Sequence, residues 1–170
     1  MDADAFLTLL RPHYDDALRY CRGLGAGGSL ADAEDAFQAA LLRAFENADR
    51  LRDPGRFRPW LFRIVTREVR RSQRRRAWRR LSPLPPDDAP PTLGLVVAAE
   101  TGAALDVVSA LARLGEQERQ AFLLFEIGGF SVGEIREIQG DRSSSAIKSR
   151  LSRARARLRA LDDEPIPLPL

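Results

Sequence analysis

Residues 128–161 read GGFSVGEIREIQGDRSSSAIKSRLSRARARLRAL, and this stretch decides the fold. Gly128-Gly129 offers the left-handed stop that ends a helix, and Ser131 with Glu134 makes the pattern of a capping box. Ile135 and Ile138 give the short helix after it a buried side, and Gly140 ends that helix. A polar turn, Asp141 to Ser144, leads into a final helix in which Ile147, Leu151, Ala154, Leu158 and Leu161 recur at four-three-four-three spacing. Two helices and a tight turn read as a helix-turn-helix. Opposite the apolar stripe lie Ser149, Ser152 and Ala156, bordered by Lys148, Arg150, Arg153, Arg155, Arg157 and Arg159 with no acid among them. A helix with short side chains at its centre and long cations along its edges can enter a major groove and reach phosphates and base edges. A solvated basic helix facing an acidic partner would carry the same charges; the short capped helix and turn in front of it favour the groove.

Outward from this motif, Leu105–Leu114 and Glu116–Ile127 predict two further helices. Before them, Ser82 to Pro91 reads SPLPPDDAPP, where prolines remove backbone donors and turn their neighbours away from helix. From Leu81 to Asp106 the only charges are Asp87, Asp88, Glu100 and Asp106, between arginine-rich flanks. The expectation is an all-α chain of two small helical domains: 1–80, a flexible acidic Pro-rich linker over 81–104, the helix-turn-helix domain over 105–161, and a proline-rich tail over 162–170. Mobility between the two domains is expected from such a linker.

In the first domain, Ala33, Ala36, Phe37, Ala40, Leu41, Ala44 and Phe45 mark one face of a helix that Ser29 and Asp32 can cap. Its other face carries Asp35, Gln38, Leu42 and Glu46, so Leu42 is either an ordinary exposed leucine or part of a docking face. After Asp53-Pro54-Gly55, a stripe of Phe57, Trp60, Leu61 and Ile64 opens a helix that turns basic: Arg63, Arg67, Arg70, Arg71, Arg74, Arg75, Arg76, Arg79 and Arg80 are opposed only by Glu68. Such a helix repels itself unless a polyanion lies against it, and phosphate is the natural partner. Trp78 within the run either stacks on an unpaired base or packs back on its own domain.

The basic residues are 26 arginines and Lys148, which suits forked recognition of phosphates and base edges, although a GC-rich genome also writes Arg for Lys. With one cysteine, Cys21, and one histidine, His13, no disulfide framework, zinc site or Cys–His nucleophile is spelled out, and no cofactor is expected. Asp32, Glu34 and Asp35 are spread around a helix rather than converged on a metal, which argues against a nucleic-acid enzyme. The N-terminus has no basic, apolar leader and no stretch reaches spanning length, so a cytoplasmic chain without membrane insertion is expected.

Asp32-Ala33-Glu34-Asp35-Ala36-Phe37-Gln38 with Leu42-Arg43-Ala44-Phe45 resembles region 2.2 of extracytoplasmic-function (ECF) sigma factors, and Phe57-Arg58-Pro59-Trp60-Leu61-Phe62-Arg63-Ile64 resembles the next part of that region. Leu114, Arg119, Gly129-Phe130-Ser131, Glu134-Ile135, Gly140 and Ile147-Lys148-Ser149-Arg150-Leu151 with Arg153-Ala154-Arg155 resemble region 4. The resemblance implies a promoter-recognising subunit of bacterial RNA polymerase. On that implication Arg142, Ser144, Ser145, Lys148, Ser149, Arg150 and Arg153 would meet the −35 duplex. Trp60, Arg63, Arg67, Arg70, Arg71, Arg74, Arg75 and Trp78 would meet the melted −10 strand. Asp32, Asp35, Gln38, Leu42 and Glu46 would dock on the clamp helices of core RNA polymerase, and an apolar pocket between the early second-domain helices would take the flap tip. Promoter DNA and an anti-sigma factor complete the implied partners. The chain departs from the family pattern at Ala39, Arg67, Gly115 and Gln139, and its turn before the last helix is one residue longer. The rival reading is a stand-alone helix-turn-helix regulator that binds duplex DNA tightly by itself.

Overall fold

The computed structural model describes residues 1–25, 28–81 and 102–162, without the side chains of 79–81, 102–106 and 161–162. Residues 82–101 of the predicted linker and 163–170 of the predicted tail lie outside the described residues, as do the side chains of Arg79, Arg80 and Leu161, while Leu81, residues 102–104 and Asp162 belong to helices. All the regular structure described is helical, as the sequence pattern predicts: α1 (Ala3–Leu10), α2 (Tyr14–Leu24), α3 (Leu30–Glu46), α4 (Phe57–Leu81), α5 (Gly102–Ala112), α6 (Glu116–Glu126), α7 (Val132–Gln139) and α8 (Ser144–Asp162), with short 3-10 turns between some of them.

Local chemistry sets the boundaries. Asp2 caps α1 by accepting from the Ala5 amide at 2.8 Å. Both expected capping boxes form: Ser29 and Asp32 exchange hydrogen bonds at the start of α3, and Ser131 and Glu134 do so at the start of α7. The carboxyls of Asp32 and Glu134 are held below their ordinary range. For Asp32 the Ser29 hydroxyl is the main cause; for Glu134 it is the Ser131 backbone amide, with that residue's hydroxyl second. Beyond α6, Gly129 takes φ 59°, its amide donating to the Phe125 carbonyl at 3.1 Å while the Phe130 amide reaches back six residues to the Leu124 carbonyl at 3.1 Å. Gly128 is needed for closeness instead: a Cβ there would stand 2.6 Å from the Leu124 carbonyl oxygen and 2.5 Å from the Phe130 ring. Gly140, at φ 71°, ends α7 in the same left-handed way.

The first domain packs α3 along α4, with α2 against both and α1 closing one side. Ala33, Ala36, Phe37, Ala40 and Ala44 of α3 are buried, as their spacing predicts, whereas Leu41 of the same predicted face is half-buried and Phe45, near the end of the helix, is exposed with one edge against Phe6. In the second domain α8 lies across α6 and α7, burying Ile147, Leu151 and Ala154. The two halves also share a core. α2 packs on α6 and α4 on α7, and one buried cluster runs from Phe6 of α1 to Ala154 of α8.

Candidate nucleic-acid interface

The helix-turn-helix presents a narrow exposed strip. Arg142, Ser145, Lys148, Ser149 and Ser152 are exposed, while Ser144 is half-buried at the start of α8. The Ser143 hydroxyl accepts from the Ser145 amide at 3.1 Å and so satisfies a first-turn donor. Four of the arginines that border the strip in sequence are paired within their own domain. Arg153 and Arg157 straddle Glu118 of α6 at 2.8 and 2.9 Å. Arg155 pairs with Glu126 at 3.1 Å and lies over the Phe125 ring. Arg150, expected on DNA, is largely buried: it donates to the Gln139 amide oxygen at 2.7 Å and to the Asp141 carboxylate. Gln139 in turn donates to the Gln117 carbonyl at 3.0 Å. The chain thus braces the turn before α8 with a Gln139–Arg150–Asp141 clamp. Helical spacing assigns these arginines to the groove because acids on a neighbouring helix are invisible to it.

On α4 the basic residues divide differently. Arg67, Arg71, Arg74 and Arg75 are exposed, and Trp78 is 75% exposed, which removes the reading in which it packs on its own domain. Glu68, mostly buried, stands 3.7 Å from Arg43 and 3.9 Å from Arg71. Trp60 is half-buried against Phe57, ring centres 5.7 Å apart, and so belongs as much to the core as to a binding face. Arg63 donates to the Glu137 carbonyl at 3.2 Å, and Arg70 engages Glu116 and Gln120, all in the second domain.

On α3, Asp35, Gln38, Leu42 and Glu46 are exposed together on one face, and Leu42 is 61% exposed. Asp32 stands apart from that face, spent on the Ser29 cap and on Arg76 at 3.2 Å. In the second domain Val107 and Val108 of α5 are also exposed. Between α6 and α8 lies an open groove of about 390 Å³, with Phe125, Val132 and Leu151 on its floor and Lys148, Arg155 and Arg159 at its rim. The described residues contain no helix long and apolar enough to cross a membrane.

Comparison with known proteins places these surfaces in a family. Residues 9–79 match the model for sigma-70 region 2 and residues 104–158 that for sigma-70 region 4. ECF RNA polymerase sigma factor SigM of Mycobacterium tuberculosis is 32% identical over 94% of this chain and 78% of that protein. SigE of Mycolicibacterium smegmatis is 32% identical over 89% of this chain and 59% of that protein. Among solved structures, CnrH in complex with the cytosolic domain of CnrY superposes with TM-score 0.70 at 29% identity, covering 95% of this chain and 90% of that one. The sigma factor RpoE in complex with the anti-sigma factor NepR from Bartonella quintana superposes with TM-score 0.74 at 25% identity, covering 95% and 100%. With a helix-turn-helix in one matched region and an arginine-rich helix in the other, the chain belongs to the ECF RNA polymerase sigma factors.

Proposed function

We propose that the two surfaces divide promoter recognition. The strip of Arg142, Ser145, Lys148, Ser149 and Ser152 on the helix-turn-helix reads the −35 duplex, and the exposed α4 residues Arg67, Arg71, Arg74, Arg75 and Trp78 capture the melted −10 strand. The observation that supports this best is that one chain carries two nucleic-acid surfaces of different kinds. A serine-centred strip suits base edges in a groove, and an arginine helix with an unburied indole suits a flexible strand on which bases can stack. The α3 face of Asp35, Gln38, Leu42 and Glu46 docks on the polymerase clamp helices, and the exposed apolar surface of α5 receives the flap tip. Two structural relatives were solved with CnrY and with the anti-sigma factor NepR, which supports control of this chain by an anti-sigma factor as well.

Transcription in vitro with purified core polymerase on a promoter library tests the reading. New start sites that need this protein and share two spaced upstream motifs support it. Leu42→Arg should lower core-polymerase affinity about tenfold or more by placing a charge in an apolar contact. No new starts, together with tight specific duplex binding by the chain alone, would favour the stand-alone regulator.

A further inference from the structure

The groove between α6 and α8 is suited to two chemistries at once. Its floor is apolar, with Phe125 and Val132 half-buried and Leu151 buried, and its rim is cationic, with Lys148, Arg155 and Arg159. Arg155 is already engaged, by Glu126 at 3.1 Å and by the Phe125 ring at 5.0 Å. Lys148 and Arg159 are exposed and make no ion pair among the described residues, and no acid lines the groove. A duplex would satisfy the two cations but bring nothing to the floor. An extended peptide with acids at one end and apolar side chains along it would meet both.

Such a peptide follows α8 in this chain. Residues 163–170 read DEPIPLPL, two acids and then Ile166, Leu168 and Leu170 alternating with prolines. Glu164, Ile166 and Leu168 each precede a proline, a position biased away from helix and toward extended backbone. Alternate side chains of an extended chain share one side, so the three apolar residues can face a single surface.

Register and length bring this segment to the groove. Lys148, Ser152, Arg155 and Arg159 are spaced four, three and four apart, so the groove follows one face of α8, and the helix ends three residues beyond Arg159, at Asp162. From Asp162 back to Leu151 the helix covers about 16 Å at about 1.5 Å per residue. With the chain reversed over Asp163, Glu164 and Pro165, residues 166–170 span roughly 16 Å at about 3.1 Å each. The reversal leaves the acids beside Arg159 and carries the apolar residues along α8 toward Leu151. Because the segment is tethered, it meets the groove at an effective concentration on the order of millimolar, where modest contacts suffice.

We infer that residues 163–170 fold back into the α6–α8 groove, seating Ile166, Leu168 and Leu170 on Phe125, Val132 and Leu151, and that the seated segment competes with duplex DNA for Lys148 and Ser152. The competition rests on the −35 reading of that strip; the seating does not. Nuclear Overhauser spectra of the full chain should show contacts from the methyl groups of residues 166–170 to the Phe125 ring or the Val132 methyls. The triple substitution Ile166→Ser, Leu168→Ser and Leu170→Ser should abolish them and shift the amide resonances of Phe125, Val132 and Leu151. If the seated form is roughly nine-tenths of the free chain, that variant should also bind a mixed-sequence duplex of about 20 base pairs about tenfold more tightly. It removes no charge, so the gain cannot come from altered counterion release. Val132→Glu, which puts a carboxylate on the floor at a helix start that tolerates one, should lose the same contacts with helical circular dichroism unchanged. Wild-type spectra without contacts between residues 166–170 and the groove, or a triple variant that binds duplex no more tightly, would overturn the inference. If the contacts and the tighter binding are both found but core polymerase gains no start sites with this chain, the seated segment stands and the promoter-recognition reading falls.

Discussion

Helices α4 and α8 are both rich in arginine, yet they use it in opposite ways. On α8 four arginines are paired within their own domain: Arg150, largely buried, with Gln139 and Asp141, and the more exposed Arg153 and Arg157 with Glu118 and Arg155 with Glu126. Without an acid partner among the described residues, on its exposed strip, is a lysine among serines, Ser145, Lys148, Ser149 and Ser152. On α4 the cations at 67, 71, 74 and 75 are exposed, with Glu68 the acid that neutralises part of the cluster. Counting charges would rank the two helices as equal polyanion binders. On the proposed division of promoter recognition, their partners instead suit α8 to positioned reading and α4 to electrostatic tracking of a strand.

The largest effect should come from the α8 strip. Lys148→Glu should lower promoter-directed transcription about 30-fold or more, as expected for losing roughly 2 kcal/mol or more of base and phosphate contact. Arg157→Ala, on the same helix but turned to Glu118, should change it less than about threefold, because an exposed pair contributes well under about 1 kcal/mol. Equal losses from the two would break the distinction drawn between them.

The clamp should show next, and in stability as well as binding. Arg150→Ala strands Gln139 and Asp141 in a partly buried site and should cost about 2 kcal/mol in urea unfolding, less than for a fully buried pair. Its −35 binding should fall because the turn loosens. Arg150→Lys, which keeps charge but not the fork, should recover only part of either. Stability unchanged in Arg150→Ala would return this residue to the DNA face.

On α4 the effects should be smaller and dependent on salt. Removing Arg74 or Arg75 should each lower the slope of log affinity against log salt for a single strand by about 0.7, whereas removing Arg43, which lies toward Glu68, should leave the slope unchanged.

The sequence made local structure legible and hid partnership. The capping residues, the glycine stops, the buried face of α3 and the stripe of α8 come from short-range rules, and the structure has them where spacing places them. α1 and α2 are not among the helices read from spacing, although YDDALRYCRGL does carry a one-sided pattern, with Ala17, Tyr20, Cys21 and Leu24 buried. Within the proposed site, exposure of Leu42 and of the α8 serines agrees with the helical faces, whereas the engagement of Arg63, Arg70, Arg150 and Asp32 does not appear in them. Each of those residues meets a group brought close by tertiary packing or by the turn, and Gln120, a polar residue in a helix read as ordinary, is buried for the same reason.

The smallest expected effect separates the two capping boxes by pH. Glu134 has an ordinary value of 4.5 that the Ser131 amide and hydroxyl lower in the folded chain, and Asp32 has 3.8, lowered chiefly by the Ser29 hydroxyl. A carboxyl whose folded value lies below its unfolded one contributes its full stability above the unfolded value and loses it as pH falls through the folded one. The α7 cap should therefore begin to weaken at higher pH than the α3 cap. Glu134→Gln keeps a side chain able to accept from Ser131 but cannot titrate, so thermal melts of this variant should lose part of the wild-type decline in stability below about pH 4.5. Asp32→Asn should leave that upper part of the decline intact and flatten only the part at lower pH. A wild-type slope retained in Glu134→Gln would mean that the helix-turn-helix is not held by its ionised cap, and that the contrast between the two domains lies wholly in their arginines.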